Sequence, residues 1–186
     1  MPVLALLSAA VLSTGFSGCG YNQIQTMDEA VSNQWAQVES QLQRRSDLIP
    51  NLVTVVKSYA KHEKDVFTNI ADARAKLGGA IQSKDPAQVS AADQGFSSAL
   101  SRLLVVAENY PQLKADGQYT RLMDELSGTE NRIAVARMDY NNTVKTYNSY
   151  IRQFPNNLTA MAFHAEARKY YDPPAASQEA PVVKMD

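Results

Sequence analysis

Between residues 119 and 154, apolar side chains return every three or four positions. They are Tyr119, Met123, Leu126, Ile133, Tyr140, Val144, Tyr147, Ile151 and Phe154, and Glu130 and Arg137 fall in the same register. A repeat of that period is the seam of a helix packed against other helices. An unpaired charge in such a seam costs on the order of several kcal/mol to bury. Glu130 and Arg137 are two turns apart, about 10 Å along the axis, so they do not satisfy each other. Each needs a partner on another helix, and the chain must therefore fold as several helices packed together.

The remaining seams agree with this. A first helix opens at Thr26, with Glu29 three residues on as in a capping box, and carries Val31, Trp35, Val38 and Leu42. The same phase continues through Ile49, Leu52, Val56, Tyr59, Val66, Ile70 and Leu77. Pro50 interrupts it, because an internal proline loses a hydrogen bond and clashes with the preceding turn. Asp47 as an N-cap would place Pro50 in a first turn, where it is tolerated. The expectation is a turn near Arg45–Asp47 and a second helix over about 48–77, closed by Gly78-Gly79. A single rod over 27–78 would leave Trp35, Val38 and Leu42 uncovered unless a dimer covered them. Asp85-Pro86 starts a third helix with the seam Val89, Ala92, Phe96, Ala99, Leu103 and Val106, and Asn109-Tyr110-Pro111 ends it. The fourth helix spans about 112–154 and stops at Pro155. The expected fold class is all-α, an antiparallel up-down four-helix bundle with long helices over residues 26–171. The tail 172–186, DPPAASQEAPVVKMD, reads as disordered.

The N-terminus is of another kind. Val3 to Phe16 is an uncharged apolar and small-residue run, shorter than the roughly 20 residues of a spanning helix. It fits the core of a signal peptide. The run leads through Ser17-Gly18 to Cys19, the sole cysteine, as in a lipobox. Phe16 stands where an aliphatic residue is usual, and no Lys or Arg precedes the run. Residues 1–18 are read as a lipoprotein signal peptide, Cys19 as the lipidation site and 19–25 as a short tether. Several acyl chains on Cys19 would anchor the chain stably. Gly20, rather than Asp, follows the cysteine, which favours the outer membrane where there are two.

Little else in the sequence carries chemistry. Apolar residues make up 45% and the net charge is −1, so there is no basic face for nucleic acid. A di-iron site in a bundle needs Glu three residues before each histidine. His62 and His164 follow Tyr59 and Met161 instead, and Val66 breaks a zinc-protease pattern at His62-Glu63. No Gly-x-Ser-x-Gly elbow occurs. No catalytic residue, metal site or cofactor is expected. Two groups remain. Tyr140, Asn141, Tyr147 and Asn148 form a repeated Tyr-Asn pattern that would suit a peptide or a glycan, although Tyr140 and Tyr147 are also packing positions. Glu130, Arg137, Arg45, Glu63 and Asp28 are polar seam residues, read as interhelical ion pairs that fix register. A rough count of helix levels sets Arg137 opposite Asp28 or Glu29.

Three stretches resemble the LemA family of bacterial envelope proteins: the run from Gly20 to Glu63 containing DLIPNLV, then AENYPQLKA, then GTENRIAVARMDYNN with the residues after it. The resemblance spans about Tyr21 to Tyr171. It implies a long helical bundle fixed to a membrane at its N-terminus, with no active site. Cys19 stands in place of the signal anchor common in that family. The partners expected are the membrane, through Cys19, and a protein of the envelope, with self-association open. A protein partner calls for an exposed apolar patch, a ligand for a concave pocket, and action on the membrane itself for an exposed amphipathic helix.

Overall fold

A computed structural model describes the backbone of residues 2–171 and the side chains of residues 20–171. The chain is all-helical over this range, with no strand among the described residues. Among the described residues there are six helices rather than four: α1 Pro2–Tyr59, α2 Lys64–Ser83, α3 Pro86–Glu108, α4 Pro111–Lys114, α5 Gly117–Tyr150 and α6 Asn156–Ala162. The Cys19 side chain and the tail from 172 onward, with the readings placed on them, lie outside the described residues.

The turn expected at Arg45–Asp47 is absent, and α1 runs through Pro50. The reason is a tertiary compensation. Proline has no N–H to give the carbonyl four residues before it, which here belongs to Ser46. Arg74 of α2 donates its Nε to that carbonyl at 3.1 Å. The orphaned acceptor is thus satisfied from another helix. Asp47 is no cap; its carboxylate accepts from Gln43 at 2.8 Å within the helix. Nor does Thr26 start a helix, since its hydroxyl donates to the Asn22 carbonyl one turn back. The break comes instead over residues 60–63. There Lys61, His62 and Glu63 leave the seam without an apolar residue between Ala60 and Val66.

Two other boundaries move. Helix α2 passes through Gly78-Gly79 because one more turn lets Ile81 pack against the core. It ends at Lys84, whose φ of 56° is left-handed. The long last helix divides at Ala115–Asp116. Asp116 accepts from the backbone N–H groups of Gln118 and Tyr119 at 2.7 and 3.1 Å, capping α5, and the Tyr59 hydroxyl donates to it at 3.0 Å. The Asp85 cap forms as expected, accepting from Ala87 N–H at 3.0 Å with Pro86 in the first turn.

The chain divides into two compact units. One comprises Met1–Gln37 and Met138–Lys169. It buries Ile24 and Val31 of α1, Tyr140, Val144 and Tyr147 of α5, and Ala160 of α6. The other comprises Val38–Arg137 with Tyr170 and Tyr171. Its core draws Leu52 and Val56 from α1, Ile70 and Leu77 from α2, Phe96 and Leu103 from α3, Leu113 from α4, and Leu122 and Leu126 from α5. Helices α2 and α3 pack on each other across the Lys84-Asp85 link.

The Pro50 compensation gives a double-mutant test. Arg74→Met should cost about 1 kcal/mol beside Pro50, where it leaves the Ser46 carbonyl unpaired. In a Pro50→Ala background the new N–H fills that carbonyl. Urea titrations should then show a coupling of about 0.5–1 kcal/mol between the two sites.

Asp116 makes stability depend on pH. The Tyr119 N–H lowers its pKa most, followed by the Tyr59 hydroxyl and the Gln118 N–H. The folded value lies below the ordinary 3.8, so this contribution is whole above that pH and is lost as pH falls through the lowered folded value. The gap in urea midpoint between the wild type and Asp116→Ala should be constant near neutrality and shrink in that acid range.

Candidate functional site

Helix α3 presents Asp93 between the buried Val89 and Phe96, one turn to either side. Helix α1 presents Arg45 between buried Leu42 and Ile49, and α5 presents Arg137 one turn after buried Ile133. These apolar flanks carry Arg45 and Asp93 out of water and leave Arg137 half-buried. Arg45 is 1% exposed and Asp93 2%. Both guanidinium groups donate to the Asp93 carboxylate, Arg45 to one oxygen and Arg137 to the other. The Tyr171 hydroxyl adds a third bond at 2.8 Å. Arg45 reaches a second acid, Glu130, at 2.5 Å. Two cations thus meet two carboxylates, and the formal charge cancels.

Aromatic faces complete the enclosure. Arg45 lies 5.0 Å from the ring centre of Phe96, and Arg137 lies 4.8 Å from that of Tyr171. Burial lowers the pKa of Arg137 below the ordinary arginine range, with Tyr171 opposing the effect and the Arg45 charge adding to it. Burial raises the Tyr171 phenol, against the pull of Arg137 and Arg45. The Nε atoms of Arg45 and Arg137 are buried without a hydrogen-bond partner, so each guanidinium is satisfied through its terminal nitrogens.

A carboxylate already accepting from two guanidinium groups and a phenol is a poor general base, because taking up a proton would break strong bonds. Among the described residues no three His, Cys, Asp or Glu side chains gather as metal ligands. His62 and His164 are both exposed. The geometry suits holding α1, α3 and α5 in one register. The pairing of Arg137 with Asp28 or Glu29 from the level count is corrected: Arg137 meets Asp93, and Asp28 meets Arg168. Glu63 occupies the N-cap position of α2, half-buried, without a capping hydrogen bond from its side chain.

The Tyr-Asn pattern on α5 lies in the other unit and is largely occupied by the chain itself. Tyr140, Tyr147 and Asn148 are buried and Asn141 is half-buried. The Asn148 side chain forms two bonds with the backbone of Arg168, its amide donating to the carbonyl at 2.9 Å and its oxygen accepting the N–H at 2.8 Å. The Tyr140 hydroxyl donates to the Lys169 carbonyl at 2.8 Å, and its ring packs on Trp35 at 5.1 Å. Arg168 in turn grips Asp28 through Nε and a terminal nitrogen at 2.7 and 2.6 Å, a bond that raises its own pKa. Burial raises the Tyr147 phenol, and the Asp28 charge adds to this. The face expected to take an external peptide or glycan therefore holds residues 168–169.

Asp93, Arg168 and Tyr171 were missed by the sequence reading. Asp93 sits one place off the Ala92–Phe96 seam, and Arg168 and Tyr171 lie past the last helix, where periodicity gives no signal.

Removing Asp93 leaves Arg137 without its carboxylate and Arg45 with only an exposed one. Asp93→Ala should cost about 3–5 kcal/mol. Glu130→Gln, at the exposed edge, should cost under about 1 kcal/mol. Urea unfolding distinguishes them, and equal small losses would mean that the cluster does not hold the helices.

The LemA family model matches residues 34–185. The chain is 32% identical to Magnetosome protein MamQ 2 of Paramagnetospirillum magneticum, over 91% of this chain and 72% of that protein. It is 29% identical to Magnetosome protein MamQ of Magnetospirillum gryphiswaldense, over 81% of this chain and 64% of the relative. With Protein LemA of Metamycoplasma hominis it shares 23% identity, over 75% of this chain and 63% of that one. A family match across most of the chain, including α2 to α6 and the charge cluster, makes this chain a member of the LemA family.

Proposed function

We propose that this LemA-family protein is a non-enzymatic envelope lipoprotein, held on a membrane by acyl chains on Cys19 and acting as a scaffold or docking platform for a protein partner. The observation that carries the reading is the uncharged run Val3–Phe16 leading through Ser17-Gly18 to the sole cysteine. Nothing else in the sequence has that composition, and acylation there gives the run and the cysteine one purpose. Among the described residues no helix is long and apolar enough to cross a membrane, so in this reading attachment rests on the lipid.

Two features support a role in interaction rather than catalysis. The buried charges are consumed by one another in the Asp93 cluster. The Tyr-Asn face is filled by residues 168–169. Exposed apolar side chains, in contrast, are left for contact, among them Val105, Val135 and Met138. In a cell with two membranes, the residue after Cys19 favours the outer one.

Intact mass and membrane fractionation of the wild type and Cys19→Ser test the proposal. The wild type should carry acyl mass and pellet with membranes, and Cys19→Ser should lack the mass and move to the soluble fraction. If both forms fractionate alike and neither carries lipid, the proposal is wrong.

A further inference from the structure

Helix α6 is amphipathic in a way the core does not use. It buries Ala160 yet leaves Leu158 57% and Met161 74% exposed, one turn apart on one face. Phe154 just before it and Phe163 just after it are exposed as well. Four large apolar side chains within ten residues are costly to leave in water, and such clusters mark contact surfaces. Their position names the occupant. A side chain at Gly20 would sit 3.3 Å from the Thr159 hydroxyl of α6, and the Tyr21 ring lies 4.4 Å from that of Phe163. Helix α6 therefore rests against the two residues that follow Cys19.

Charge agrees with a lipid surface. From Tyr140 to Ala165 the chain has no Asp or Glu, while Lys145 and Arg152 are present. Gly20 to Met27 on α1 also lacks any charge. Anionic head groups would meet no carboxylate on either stretch.

We propose that α6 and its flanks form a membrane seat, in which Phe154, Leu158, Met161 and Phe163 enter the head-group and acyl-chain boundary of the bilayer that holds Cys19. The inference rests on the anchoring reading above. Acyl chains on Cys19 make the docking of α6 an intramolecular step, so a short helix too weak to bind vesicles alone becomes effective. The seat would fix the orientation of this unit on the membrane, which a lipid tether alone leaves free.

The test uses the full acylated chain in vesicles of phosphatidylethanolamine and phosphatidylglycerol containing an acyl-brominated phosphatidylcholine. A Trp35→Phe background removes the natural indole, and a single tryptophan is introduced as Met161→Trp or Met138→Trp. Met138 is also exposed in the same unit. It lies two residues before Tyr140, which packs on Trp35, fifteen residues or about 22 Å along α1 from Gly20. Bromine should reduce the fluorescence of Met161→Trp about twofold or more and leave that of Met138→Trp unchanged, since interfacial helices sit about 5–10 Å deep. With lipid confirmed on Cys19 by mass, no quenching at 161, or equal quenching at both sites, overturns the seat and leaves the anchor standing. Crosslinking of position 161 to a second copy or another protein, without quenching, overturns it too. Absence of lipid in the mass spectrum overturns the anchor itself and, with it, the seat.

Discussion

Asp93 stands between two guanidinium groups with almost no water to share the load. Its two oxygens receive Arg45 from α1 and Arg137 from α5, while Tyr171 closes the remaining side. Taking any one of these charges out of water alone is prohibitive, and with Glu130 on Arg45 they cancel. Apolar seams by themselves tolerate a slip of one heptad, because leucine packs on leucine in either register. With Arg45 and Arg137 embedded in the seams, a slipped register would bury two cations without their acid. The cluster thus penalises wrong arrangements more than it rewards the right one. The aromatic faces of Phe96 and Tyr171 extend the same logic, since they cover the flat sides of the cations that the carboxylate cannot reach.

Burial was readable from periodicity where packing alone decides it. Val38, Leu42, Leu52, Val56, Ile70, Leu77 and Leu103 stand on the seams and are buried. Arg45 and Arg137 stand in the same register, and both reach Asp93 of α3. Helix ends were less readable, because local rules compete with distant partners. Pro50 forbids a continuous helix only if nothing else can satisfy the Ser46 carbonyl, and Arg74, more than twenty residues away in sequence, does so. Gly78-Gly79 stops a helix only if nothing beyond it is worth burying, and Ile81 is. The break after Tyr59 coincides with a missing apolar position in the run Lys61-His62-Glu63, inside what the sequence reads as one helix over about 48–77.

The Tyr-Asn pattern on α5 meets the chain's own backbone at residues 168 and 169. Its amide and phenol groups bond to the chain's own return segment. Residues 165–171 have no regular structure, so their backbone groups lack the partners a helix would supply. Asn148 provides a donor and an acceptor to one residue, as a neighbouring strand would. Asp28 fixes the same residue from α1 by a two-pronged grip. Residues 168 and 169 are thus held by side chains on two helices of one unit.

A regular helix hides its backbone from the rest of the molecule. Every interior carbonyl is spoken for, so neighbouring helices recognise one another only through side chains, and side chains repeat. Pro50 makes one carbonyl of α1 different from all the others around it. Arg74 can find that oxygen and no equivalent oxygen one turn away. A residue usually counted as a flaw in a helix therefore acts as an address on its surface. A chain with alanine at that position would have the better helix and the less distinctive docking point for α2.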